Sequence, residues 1–271
     1  MAQELGVGIG GLGAIGLKIA TALDQRLIPG LRLAAVSARD HEKARRNLTN
    51  LSAIPPVTAL ADLAGVSDVI IECAPASVFS EIAESAIEGG RIFIPASVGA
   101  LLPRMDLVDR AAETGARIII PTGALIGLDA VRAAAESHVD SVTLKTRKPP
   151  NGLAGAPHLV ANNISVEGLS EAKLVFEGTA RDGAIGFPAN VNVAAALSLA
   201  GIGPDKTMLQ IWADPSVDRN IHTITVEADS ARFTMTIENI PSEENPKTGK
   251  ITALSMLATL RRLTAPLVSG T

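Results

Sequence analysis

The chain of 271 residues has no tyrosine, one tryptophan and one cysteine, and aromatic residues make up only 2% of it. Each shortage excludes a class of chemistry. Without tyrosine, the reductase mechanism that pairs a tyrosine with a nearby lysine is impossible. Without exposed rings there is no stacking platform for single-stranded nucleic acid, and a formal net charge of −4 supplies no basic field for a duplex. The single thiol, Cys73, rules out an intrachain disulfide and any multi-cysteine metal site, and no other metal-ligand set is read. That cysteine usage fits a reducing cytoplasm. No apolar run reaches the ~18 residues a membrane span needs, and no charged N-terminal segment precedes a long apolar one, so no signal peptide is expected. With 47% hydrophobic residues, the expectation is a soluble cytoplasmic protein with neither nucleic-acid nor membrane partners.

What is abundant is glycine, concentrated at the N-terminus. Leu5-Gly6-Val7-Gly8-Ile9-Gly10 reads as a short apolar strand, followed by Gly11-Leu12-Gly13-Ala14-Ile15-Gly16 and a helical pattern over residues 17–27. Strand, glycine turn and helix in this order are the context in which GxGxxG signals a dinucleotide site. In that motif Gly11 makes the tight turn, Gly13 lets the backbone close on a pyrophosphate, and Gly16 lets the helix pack hard on the strand. The N–H groups at the helix start, including those of Ala14 and Ile15, hold the phosphates. Gly8, Gly10 and Gly13 meet the same spacing, but the later register leaves a strand long enough to enter a sheet.

A second strand, Leu31-Arg32-Leu33-Ala34-Ala35-Val36, ends at Ser37. An acidic residue at this point normally binds the adenosine ribose, whereas a small polar residue with Arg39 close behind tolerates a 2′-phosphate. NADP is therefore expected to bind at least as readily as NAD, with Asp40 the only nearby carboxylate. A buried strand, Val69-Ile70-Ile71-Glu72-Cys73, delivers Cys73 and Ala74 to a loop facing the cofactor, where Cys73 reads as a small hydrophobe rather than a reactive thiol. Helix 78–88, strand 91–95, helix 105–114 and strand 117–120 continue the alternation, which makes an α/β, doubly wound parallel sheet of the Rossmann type.

Past Pro121 the pattern changes. After a helix over 128–136, strands predominate: 141–147, 171–177, 207–214, 221–228 and 232–240, interrupted by a helix over 189–199. The expectation is a dinucleotide-binding domain over residues 1–122 and a second, α+β domain over 123–245. A last helix, opened by Asn245-Pro246 within 246–271, is expected to return its stripe of Ile251, Leu254, Leu257 and Leu260 to the first domain.

Several stretches together resemble the L-aspartate dehydrogenases. They are the glycine turn, Pro121-Thr122-Gly123-Ala124 with Gly127-Leu128-Asp129, Phe187-Pro188-Ala189-Asn190-Val191-Asn192, and a C-terminal set. That set comprises Asp214-Pro215, Asn220-Ile221-His222, Asn239-Ile240-Pro241 and Asn245-Pro246-Lys247-Thr248. The likeness spans almost the whole chain. It implies an NAD(P)-dependent oxidative deamination of L-aspartate to iminoaspartate, which hydrolyses to oxaloacetate and ammonia or feeds pyridine-nucleotide synthesis. It also implies a catalytic histidine at His222, nicotinamide-side contacts at Ala124 and Asn190, and a homodimer. One loop departs from the family's Ala-Ile-Gly-Gly-Leu-Asp, reading Ala124-Leu125-Ile126-Gly127-Leu128-Asp129.

From residue pattern alone, His222, on a strand face with Ile224 and Val226, reads as a core histidine; the resemblance makes it the acid/base. Donors for the two substrate carboxylates are sought at the N–H groups around Gly127, and in Arg147, Lys148 and Asn220. Arg147 and Lys148 could equally form a solvated strand end. Two rival readings use the same residues: a dehydrogenase of another amino or oxo acid, and a non-catalytic dinucleotide sensor.

Overall fold

The computed structural model describes residues 4–38, 40–188, 191–243 and 249–270. The chain divides into two compact units, Met1–Pro121 with Ala253–Val268, and Thr122–Thr252 with Ser269–Thr271.

The first unit alternates strands and helices: β1 (Leu5–Gly10), α1 (Ala14–Asp24), β2 (Leu31–Ser37), α2 (His41–Asn47), α3 (Leu63–Val66), β3 (Val69–Glu72), α4 (Phe79–Glu88), β4 (Ile92–Pro95), α5 (Asp106–Thr114) and β5 (Arg117–Ile118). The strands form one sheet in the order β2-β1-β3-β4-β5, every pair parallel. Alternate residues of β1 and β3 face opposite ways. Val7, Ile9, Val69 and Ile71 join Ile19 and Leu23 of α1 in one cluster. On the other face Phe93 meets Phe79 of α4 edge-on at 5.8 Å. Helices thus cover both faces, which is why Val69, Ile70 and Ile71 of β3 can be apolar in succession.

Helix α1 begins three residues ahead of the expected pattern, because Gly13 takes the cap and Gly16 falls in the first turn. The expected strand over 117–120 is regular only over Arg117 and Ile118, although Ile119 N–H still donates to the Phe93 carbonyl at 2.9 Å.

The second unit contains α6 (Leu128–Ala134), β6 (Val139–Lys148), α7 (Pro157–Ala161), β7 (Lys173–Thr179), α8 (Ala180–Gly186), α9 (Asn192–Ala200), β8 (Thr207–Ala213), β9 (Ile221–Ala228) and β10 (Arg232–Glu238). Its sheet runs β10-β9-β6-β8-β7, with only β6 and β8 parallel. One face, built from Val142, Leu144, Ile224, Val226, Leu209 and Ile211, is buried, and α8 and α9 pack against β8. Strand β7 lies two residues later than the expected 171–177, since Thr179 both ends it and caps α8. The Thr179 hydroxyl accepts from the Asp182 N–H while the Asp182 carboxylate accepts from the Thr179 N–H, a reciprocal capping box.

The last helix, α10 (Lys250–Thr264), stops short of the expected 271; its expected cap at Asn245-Pro246 lies outside the described residues. The buried stripe is Ala253, Met256 and Leu260, with Leu257 at its edge, while Leu254 stays exposed. Met256 and Leu260 join the cluster of Val7, Ile9 and Ile19, each worth about 1.5–3 kcal/mol of burial. The stripe is displaced because period alone cannot choose between neighbouring faces when Leu and Ile populate both.

Candidate active site

In the first unit the functional surface is backbone. Gly11 leaves β1 at φ +101°, and a Cβ there would lie 2.5 Å from the Cys73 carbonyl oxygen, so only glycine fits. A Cβ on Gly16 would stand 2.0 Å from the Gly11 carbonyl oxygen, which fixes how tightly α1 closes on β1. Gly13 differs: its backbone is extended, and no atom lies within 4 Å of where its Cβ would be. That open cradle adjoins the start of α1. Leu17 N–H donates to the Gly13 carbonyl at 2.9 Å, so the N–H groups of Ala14, Ile15 and Gly16 precede the first intrahelical bond. A polar ligand with phosphate groups fits this space.

The cradle opens into a cavity of about 780 Å³ bordered by Gly11, Gly13, Ser37, Cys73 and Ala74. Ser37 is buried there and Cys73 half-buried. Burial, with Glu72 adjacent, pushes the Cys73 thiol well up, so it stays protonated and unreactive. Arg39 lies outside the described residues. Asp40 spends its side chain capping α2, accepting from Lys43 N–H at 2.9 Å, and Lys43 borders the same cavity.

Sequence reasoning passed over Glu72. It is fully buried at the end of β3 and accepts from Ala74 N–H and Ser97 N–H, each at 2.9 Å, and from the Ser97 hydroxyl at 3.1 Å. Burial pushes its carboxyl upward against those bonds. The carboxylate ties the loop after β3 to the loop after β4, and the first of these runs against Gly11.

In the second unit the functional groups are side chains. Thr146 of β6 sits opposite His222 of β9 in the antiparallel register, and its Oγ1 lies 3.0 Å from His222 Nδ1. Both are 2% exposed. That contact settles the ring's orientation and leaves Nε2 as the other nitrogen. Two residues on, Lys148 points to the same strand face and is 6% exposed. Burial lowers its ammonium to about 8. Burial first, and then the charge of Lys148, lowers His222 to about 3, which leaves a neutral imidazole. A cavity of about 430 Å³ is bordered by Lys148, Asn220, Asn239, Phe187 and Gly249.

Arg147, on the opposite face of β6, does not border that cavity. Its Nε and a terminal nitrogen reach Asp214 Oδ2 at 2.7 and 2.6 Å. Ser216 satisfies the other carboxylate oxygen, and these bonds, its own first, hold Asp214 below the usual carboxylate range. The Ala124 carbonyl accepts from Asn239 Nδ2 at 3.1 Å, a bond without a local sequence signal. Among the described residues, Asn239 Oδ1 is buried without a partner. In the departing loop, Leu125 is buried and Ile126 half-buried. Glycine survives where φ is +68° and Met235 fills the space, at Gly127. Asn190, Lys247 and Thr248 lie outside the described residues. His158, by contrast, meets Phe176 edge-on at 5.2 Å and lies tilted against Phe187 at 5.4 Å, a packing role.

A dinucleotide cradle in one unit, and in the other a cavity bordered by Lys148, Asn220 and Asn239, are the features of a nicotinamide-dependent dehydrogenase. The family profile described as "Homoserine dehydrogenase, NAD binding domain" matches residues 11–121, and "Aspartate dehydrogenase, C-terminal" matches residues 129–263. The chain is 56% identical over 269 residues to L-aspartate dehydrogenase of Bradyrhizobium diazoefficiens, covering 99% of this chain and 95% of that one. It is 51% identical to L-aspartate dehydrogenase 3 of Bordetella bronchiseptica, covering 99% and 98%. The crystal structure of aspartate dehydrogenase from Thermotoga maritima superposes with a TM-score of 0.74 at 25% identity, over 99% of this chain and 100% of that one. The chain belongs to the L-aspartate dehydrogenase family.

Proposed function

We propose that this protein oxidises L-aspartate with NAD or NADP to iminoaspartate, which hydrolyses to oxaloacetate and ammonia, and that it also runs in reverse. The observation that carries this is the 56% identity, over nearly the full length of both chains, to an enzyme named L-aspartate dehydrogenase. Gly11, Gly13, Ala14, Ile15 and Gly16 hold the pyrophosphate, Ser37 and Arg39 the adenosine ribose, and Cys73 and Ala74 border the cofactor. Ala124 and Asn190 meet the nicotinamide end; when bound, the nicotinamide supplies the hydride acceptor. His222 belongs to the acid/base machinery, and its neutral imidazole suits it to hydrogen-bond an uncharged amine or imine. Lys148 and Asn220, which border the cavity of the second unit, face the substrate; Arg147 is committed to Asp214.

The protein works in the cytoplasm as a homodimer. Supporting the dimer, Leu174, Met208 and Trp212 lie on the sheet face opposite Thr146 and His222, with Leu174 and Met208 each 37% exposed. Light scattering on a sizing column is expected to return twice the chain mass; a monomer overturns that part.

The activity itself is tested by following NAD(P)H formation with a panel of amino acids and each cofactor in parallel. Rapid signal with L-aspartate alone is expected. A better substrate among the others, or no signal with aspartate, sinks the assignment.

A further inference from the structure

Two nitrogen bases stand side by side in the second unit, and they are not equivalent. Lys148 ends β6 on the face that carries Leu144 and Thr146, diagonal to His222 in the β6–β9 register. It borders the cavity, whereas His222 is not among the bordering residues. Charged groups on the neighbouring elements pair with one another. From the end of β8, Asp214 takes Arg147 and Ser216, while its N–H donates to the Lys148 carbonyl at 2.8 Å. At the cavity rim, Asp218 and Arg219 pair with each other at 2.6 Å.

We propose that Lys148 is a catalytic residue, the amine that takes the proton from the α-ammonium of the bound amino acid, with His222 as its neutral neighbour. The inference rests on the amino-acid oxidation proposed above. In the forward direction, neutral Lys148 Nζ accepts one proton, leaving Lys148 as ammonium and the substrate as a neutral α-amine. The lone pair so freed forms the C=N bond as the α-hydrogen departs with its two electrons to the nicotinamide. The substrate carbon is oxidised, the cofactor reduced, and the extra proton rests on Lys148.

The choice between the two bases follows from their relative strength. An amine at about 8 is roughly 10⁵-fold the stronger base beside an imidazole held at about 3, so a proton leaving the substrate ammonium goes to Lys148 in preference to His222. Lys148 also borders the cavity that would hold the substrate.

Lys148→Arg keeps a permanent charge without a usable base, and Lys148→Met keeps the buried stem without either. Binding of reduced cofactor, followed by fluorescence, reports whether each variant is folded. Both are expected to lose roughly 10²–10⁴-fold in kcat, with cofactor binding near wild type. The ascending limb of the wild-type pH profile near 8 should vanish, and small primary amines such as ethylamine should restore turnover to Lys148→Met. If Lys148→Arg keeps kcat within about tenfold together with the wild-type pH limb, Lys148 is merely a carboxylate anchor and the inference is overturned. Carbon-13 NMR of lysine-labelled protein gives a readout independent of substrate. A Lys148 midpoint near 8 supports the inference; one above 10 overturns it, whatever the enzyme turns over. A wild-type protein inert toward aspartate sinks the aspartate reading alone.

Discussion

The two units solve the problem of binding with different materials. In the first, the ligand surface is main chain: two glycines permit contacts no other residue could make, and a third leaves room for the ligand. In the second, the cavity depends on side chains, among them Lys148 at the end of β6 and Asn239 just after β10, that are far apart in sequence and costly to bury. A backbone site is robust to its surroundings and intolerant of a methyl group. A buried polar site tolerates small changes in shape and fails when one partner is removed.

The sharpest test of that contrast is His222→Ala. It should lower kcat by about 10²–10⁴-fold while reduced-cofactor binding, measured by fluorescence, stays near wild type. Loss of both together would mean that the two units do not divide the work.

Next in size is pH. His222 is held at about 3 in the folded protein against an ordinary 6.5, so between those values the unfolded chain binds more protons. Its contribution to stability is therefore complete above 6.5 and is lost as pH falls toward 3. Unfolding free energies of the wild type and His222→Gln should converge across that interval; parallel curves would show that the imidazole is not held neutral by burial.

The glycines give a smaller, paired test. Gly16→Ala must displace the Gly11 carbonyl and should cost about 1–3 kcal/mol of stability as well as cofactor affinity. Gly13→Ala meets no atom, so its melting temperature should hold while cofactor affinity falls. A joint drop in melting temperature would show the space at Gly13 to be structural. Smallest is Thr146→Val, which removes one hydrogen bond worth about 1 kcal/mol. A several-fold loss of kcat with unchanged KM, recovered by Thr146→Ser, is expected; an unchanged rate would mean that packing alone orients His222.

Legibility in the sequence tracked this same division. The glycine turn, the alternation of strands and helices, and the face shared by His222, Ile224 and Val226 are local patterns, set by backbone geometry and period, and each appears where it was read. What went unread depends on pairs far apart in the chain. Glu72 was read only as part of the buried strand Val69 to Cys73, and nothing local showed that Ser97 would reach back to it. Arg147 and Lys148 looked alike, yet strand alternation sends one to Asp214 and the other into the cavity.

Composition, spacing and periodicity were enough to read a dinucleotide-binding first half and a strand-rich second half, and the likeness of several short motifs pointed to one dehydrogenase family, because those features are written in neighbouring residues. Which of two neighbouring cations pairs with Asp214, which one borders the cavity of the second unit and which stripe of the last helix is buried were settled by folding. Those properties arise from desolvation and strand register, as where Thr146 meets a histidine 76 positions away, and neither exists until the chain has closed on itself.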